Sequence, residues 1–169
     1  MEKEVEVLSE KDQLLQVLER EYQTTIKVLK AYPTEKLDLK PAEKSRTARE
    51  LAWNFYNEQA IGEMAFKGKI DFSNLNTPAP KTMKEILVAY DKVFKENINR
   101  IKRASEDDLN NMVAFPVGPG KVQDFRVADV IWYLVMDMIH HRGQMSVYIR
   151  LAGGRVPSIY GPSADEPWF

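Results

Sequence analysis

The chain's only two histidines, His140 and His141, stand side by side in "DMIHHRGQMSVYIRLAGG", which runs from Asp137 to Gly154. Asp137 lies one helical turn before His141, with Val135, Met136, Met138 and Ile139 around it. In a helix, residues four apart share a face. Tyr133, Asp137 and His141 then form one stripe, continued by Gln144 or Met145, with His140 about 100° round the helix. A carboxylate on an apolar helix face is costly unless it is paired, hydrogen-bonded or bound to a metal. Three arrangements would satisfy Asp137: a structural pair with His141 or with an arginine of a neighbouring helix, a metal site, or acid–base chemistry without a metal.

A metal site needs more ligands, and helical bundles recruit them from facing helices. "AWNFYNEQAIGE" offers Asn54 and Glu58, four positions apart. Asn54 sits between Trp53 and Phe55, where an exposed polar residue is unexpected, so it reads as a satisfied core amide, as a helix–helix hydrogen bond, or as a ligand. Glu58 reads first as solvated surface and second as a further ligand. Cysteine is absent, which excludes thiolate metal sites, disulfides and cysteine nucleophiles.

Four helices must position these groups. Ser9 can cap the first, in which Leu14, Leu15, Val17, Leu18, Tyr22, Ile26 and Leu29 recur at helical spacing before Pro33. The polar connector "PTEKLDLKPAEKSR" follows. Thr47 with Glu50 forms a capping-box pattern, each side chain satisfying a free backbone N–H, and opens a second helix carrying Leu51, Trp53, Phe55, Ile61, Met64 and Phe66. "KGKIDFSNLNTPAPK" is a loop. Thr82 with Glu85 opens a third helix that ends near Arg103. The stretch from Ser105 to Arg126 reads as a long loop or a small hairpin. A fourth helix runs from about Val127 to Ala152, apolar nearly all round at first and stopped by Gly153 and Gly154. The irregular, aromatic tail should pack on the body. The expected fold class is all-α: a four-helix bundle, with connectors after helices one and three long enough to cross the bundle.

At 169 residues the chain suits a single domain, 1–169, with a real core. It is 44% hydrophobic and 29% charged, as in ordinary globular proteins. Its 24 basic and 25 acidic residues nearly cancel, which argues against a general nucleic-acid surface. The start "MEKEVEVLSEKDQLL" is too charged for a signal peptide, and no apolar run approaches the ~18 residues of a membrane span. A cytoplasmic protein that neither binds nucleic acid nor enters a membrane is expected.

The segment "HHRGQMSVYIRLAGGRVPSIYGPS" resembles the closing signature of the DinB-like (DinB/YfiT) superfamily of small metalloenzymes. That signature has a histidine pair, Arg-Gly-Gln, Tyr-x-Arg and Pro-x-x-Tyr-Gly; here these are His140-His141, Arg142-Gly143-Gln144, Tyr148-x-Arg150 and Pro157-x-x-Tyr160-Gly161. "SRTARELAW" resembles the family's entry into its first ligand-bearing helix. The resemblance implies a four-helix bundle, often a homodimer. It also implies a divalent metal, commonly nickel or zinc, held by one histidine of helix two and two of helix four. Carried over by position, the ligands fall on Asn54, Asp137 and His141, with Glu58 and His140 as secondary candidates. A carboxylate and an amide thus replace two imidazoles. An amide oxygen is a poor ligand for nickel or zinc, and oxygen-rich ligation shifts preference toward Mn²⁺ or Mg²⁺. The metal is therefore expected to be Ni, Zn or Mn, or to have been lost.

Some members of the family are hydrolases or thiol transferases, in which the metal lowers the pKa of a bound water or thiol. That implies a metal-dependent enzyme with a degenerate site, acting on an unidentified small molecule. Trp53, Phe55 and Tyr133 would wall its pocket, and Gln144 or Tyr148 would orient the ligands. The rival reading is a dimeric bundle that kept its fold, lost its metal, and now binds a ligand or serves a structural role. Arg142 and Arg150 are expected to be solvated or paired with acids of other helices.

Overall fold

The computed structural model describes residues 8–75 and 77–169; the first seven residues of the charged start weighed above as a signal peptide lie outside them. The four long helices form where caps and periodicity place them: α1 Glu10–Lys30, α2 Ala48–Phe66, α3 Met83–Arg103 and, after a short α4 at Glu106–Asn110, α5 Val127–Leu151. The Ser9 side chain accepts from the Asp12 N–H, and both Thr47/Glu50 and Thr82/Glu85 close full capping boxes. Such caps are each worth about 1 kcal/mol. The α5 stop is a Schellman motif: Gly154 N–H donates to the Ile149 carbonyl and Gly153 N–H to that of Arg150. Gly153 takes φ +77°, which a side chain would resist.

The segment before α5 is a hairpin, β1 Met112–Gly118 pairing antiparallel with β2 Lys121–Arg126. Phe115 anchors it by edge-on contacts with Phe72 and Tyr133. The pentapeptide helix α4 was not expected; Ser105 and Asp108 cap it reciprocally, a signal that was legible.

Round the bundle the order is α1, α3, α2, α5, because α1 and α2 each pack against both α3 and α5. The links from α1 to α2 and from α3 to α5 therefore cross the bundle, which accounts for their length. Helices α2 and α5 run antiparallel: Gly62 of α2 faces Leu134 of α5, while Asn54 faces His141. A methyl group at Gly62 would lie 3.3 Å from Asn97 Nδ2 and 3.6 Å from Leu134 Cδ1, so glycine lets three helices close here. The core between them holds Leu14, Leu29, Phe55, Ile86, Tyr90 and Met138, all fully buried. Each such side chain contributes roughly 1.5–3 kcal/mol through burial. The tail packs on the body through Lys27–Glu166 (2.7 Å) and Arg150–Asp165 (2.5 Å).

Candidate metal centre

Two helices bring the site together. On α2, Leu51, Phe55, Glu58, Gly62 and Ala65 follow one helical stripe into the core, and Glu58 is the charged member of it. On α5, Leu134, Met138, His141, Met145 and Tyr148 do the same with His141. Because α2 and α5 pack closely, Glu58 Oε1 reaches His141 Nδ1 at 2.6 Å. Asp137 Oδ2 lies 3.7 Å from the same nitrogen. On the other edge of the ring, Asn54 Nδ2 is 3.3 Å from His141 Nε2. Phe55 meets the imidazole edge-on, with centroids 6.4 Å apart. Glu58, Asp137 and His141 each offer a ligand atom, and these atoms lie within 4.8 Å of one another.

Burial pushes the Glu58 carboxyl up to about 7, against the opposing pull of its hydrogen bond to His141. The hydrogen bond to Glu58 raises His141 above its ordinary value, against burial. The two groups thus hold a proton between them near neutral pH. One oxygen, Glu58 Oε2, is buried with no partner among the described residues. An unsatisfied carboxylate oxygen costs free energy that a cation would recover. Two carboxylates and one imidazole suit a divalent cation, with the oxygen majority favouring Mn²⁺ and the imidazole keeping Zn²⁺ and Ni²⁺ in range.

Residues 1–168 match the DinB family. The chain belongs to the DinB family. It is 28% identical to YrdA of Bacillus subtilis (strain 168), an uncharacterized protein, over 158 residues that make up 92% of this chain and 90% of that one. The DinB-like protein of Bacillus cereus ATCC 10987 has a similar crystal structure, with a TM-score of 0.74 at 26% identity, covering 87% of this chain and 95% of that one. Bacillus subtilis YfiT, described as a probable metal-dependent hydrolase with an unusual four-helix bundle topology, shares the fold with a TM-score of 0.69 at 14% identity, over 90% of this chain and 94% of that one.

Within this DinB-family bundle Asn54, Glu58, Asp137 and His141 converge. His140 does not join them: it is exposed, with Nε2 2.8 Å from Gln144 Nε2. Several expectations need correction. Glu58 is not surface but 3% exposed, because its stripe, not its charge, sets its direction. Tyr133 is exposed and packs under the hairpin, so it walls no pocket. Gln144 pairs with His140, and the Tyr148 hydroxyl donates to the Arg46 carbonyl, so neither orients the cluster.

Of the two alternatives for Arg142, the structure shows the ion pair with an acid of another helix. The arginine is buried on the opposite flank of α5, paired with Glu21 of α1 and bonded to the Tyr160 hydroxyl. Its partner Glu21 went unremarked, although Leu14, Leu18, Glu21, Thr25 and Val28 lie on one stripe of α1.

Proposed function

We propose that this DinB-family chain is a metal-dependent hydrolase whose divalent cation is held by Glu58, Asp137 and His141. The observation that carries the reading is that ligand atoms of Glu58, Asp137 and His141 lie within 4.8 Å of one another, while the second Glu58 oxygen, Oε2, is buried with no partner among the described residues. YfiT's description as a probable metal-dependent hydrolase supports the same chemistry. When bound, the cation supplies Lewis acidity and an activated water at neutral pH. A cation held through His141 Nδ1 would require the ring proton on Nε2, and Asn54, with its amide turned, would accept it there through Oδ1; Asn54 is a positioning residue. Phe55 and the apolar flank keep bulk water from the ring. The reading includes one domain over residues 1–169, a homodimer, a small-molecule substrate and a cytoplasmic location; thiol transfer at the same centre is its nearest variant.

A second reading has one observation in its favour. The 2.6 Å Glu58–His141 hydrogen bond is complete without a metal, as in a bundle that has lost its cofactor.

Metal analysis separates the two. Protein purified without chelator or metal-affinity tag should carry stoichiometric Mn²⁺, Zn²⁺ or Ni²⁺. Glu58→Gln and Asp137→Asn should each empty it, and Asn54→Ala should weaken affinity roughly 10–100-fold while Asn54→Asp, which still accepts the proton, retains it. Protein that takes up none of these ions, even when dialysed against them at pH 8, would sink the metal reading.

A further inference from the structure

A groove of about 520 Å³ opens beside the centre, between the start of α2 and the connector that leads to α3. Asn54 belongs to both: it lines the groove and touches His141. The groove's rim carries Lys40 and Arg46, and among the described residues neither side chain has an ion-pair or hydrogen-bond partner. Arg46 is near enough for its charge to act on both Glu58 and His141. The acid on this rim, Glu50, is committed to the capping box with Thr47. Two cations against this one carboxylate leave the groove's lining with a formal charge of +1.

Two residues of α2 that line the groove carry buried polar atoms without a partner among the described residues. Trp53, 8% exposed and stacked on Tyr56 at 4.1 Å, has its indole N–H buried without a partner. Asn57, on the same wall, has its side-chain carbonyl in the same condition. Buried polar groups are nearly always satisfied, so each exception calls for an explanation such as a bound water, an ion or a functional role. Pro78 adds apolar surface to the lining.

We infer that this groove is the substrate subsite of the proposed metal centre, and that it selects a small organic anion, a carboxylate or phosphate ester, whose charged group is held by Arg46 and Lys40 while its remainder lies against Trp53. The inference rests on the metal-dependent reading for the word substrate, but the anion subsite can be tested without it. Arginine suits such a group because its planar fork donates two parallel hydrogen bonds to carboxylate or phosphate oxygens.

The test uses four probes with one ring: phenyl phosphate, benzoate, benzyl alcohol and benzylamine. Binding to the full chain is followed through the Trp53 indole N–H resonance, assigned by its loss in Trp53→Phe. Phenyl phosphate or benzoate should bind at least tenfold more tightly than the alcohol and the amine, and should shift that resonance. Phosphate over carboxylate, or the reverse, names the anion. Arg46→Gln should weaken the anion tenfold or more and leave the alcohol unchanged, whereas Arg46→Lys should restore part of the affinity. Arg46 is exposed, and the contact its residue makes with Tyr148 is through the backbone, so both variants keep the fold.

The same titration on Glu58→Gln separates the two claims. Anion binding that persists after the metal is gone supports the subsite whatever becomes of the metal reading. Equal affinity for the four probes, or no effect of Arg46→Gln, overturns the subsite even in a protein that binds metal.

Discussion

Glu21 and Glu58 are the same residue type, both buried, and both turned toward consecutive residues of α5, yet their carboxyls are displaced in opposite directions. Burial alone would raise both. At Glu21 the hydrogen bonds from Tyr160 and Arg142 outweigh it and hold the carboxyl below its ordinary value. Arg142 also donates to the Glu21 carbonyl (3.1 Å) and to Thr25 Oγ1 (3.2 Å), and Arg20 takes the second carboxylate oxygen at 3.1 Å. Every charge there has its partner. At Glu58 the partner is an imidazole that can be neutral, a second carboxylate stands nearby, and one oxygen has nothing. The first arrangement is a closed staple joining α1, α5 and the tail. The second is open, and open buried charge marks candidate sites.

The largest effect should come from breaking the staple. Glu21→Gln leaves Arg142 buried without a counter-charge, which costs about 3–5 kcal/mol, or a fall in Tm on the order of 10 °C for a chain of this size. Glu58→Gln in metal-free protein at pH 8 should do the reverse, since it removes a buried carboxylate with an orphaned oxygen. Thermal unfolding of the two variants side by side measures the contrast. A Glu58→Gln variant that falls as far as Glu21→Gln would mean that the Glu58–His141 pair is a staple too, and would favour the metal-free reading.

The pH dependence separates the regions next. Glu58 keeps its proton up to about 7, whereas the unfolded chain loses it near 4.5. Its contribution to stability is therefore full below pH 4.5 and is lost as pH rises toward and through 7. The loss is on the order of 3 kcal/mol at most. His141, raised by its hydrogen bond to Glu58, is the other half of the same coupled titration and adds to the same direction, not a second separate loss. Glu21, lowered, has the opposite sign: its contribution is present above pH 4.5 and is lost on acidification. Urea unfolding of metal-free protein should thus show stability declining from pH 5 to pH 8, with Glu58→Gln flattening most of the slope. A slope that Glu58→Gln leaves untouched would place the titration elsewhere.

The helices were legible because short-range chemistry writes them. Ser9, Thr47 and Thr82 cap with acids in the right positions, and Gly153 supplies the only backbone that a Schellman stop accepts cheaply. The hairpin before α5 is only one of two alternatives in the sequence, since "MVAFPVG" is short and interrupted by proline. Family membership was readable from "HHRGQMSVYIR" and "PSIYG". The partnerships were harder, because they are long-range: Glu58 meets His141 and Glu21 meets Arg142 only after two links have crossed the bundle. Even so, each of these four polar residues sits on an apolar stripe of its own helix. Counting charged residues on core-facing stripes would have put Glu58 beside Asp137 and His141 as a lead candidate, and would have brought Glu21 into view.

The smallest predicted effect tests whether the two regions are independent. Tyr160→Phe keeps the ring that lies 5.1 Å from the Arg142 guanidinium carbon, but removes the hydroxyl that donates to Glu21 Oε2 at 2.5 Å. The loss should be about 1–2 kcal/mol, since the acceptor is charged but retains Arg142. Glu21 should then move back toward its ordinary value, so that acid unfolding begins at higher pH. Metal uptake should stay the same, because Arg142 and His141 leave α5 toward different neighbours, α1 and α2. If Tyr160→Phe loosened the metal as well, the stiffness of α5 itself would be shared between staple and centre, and the tail would belong to the site it does not touch.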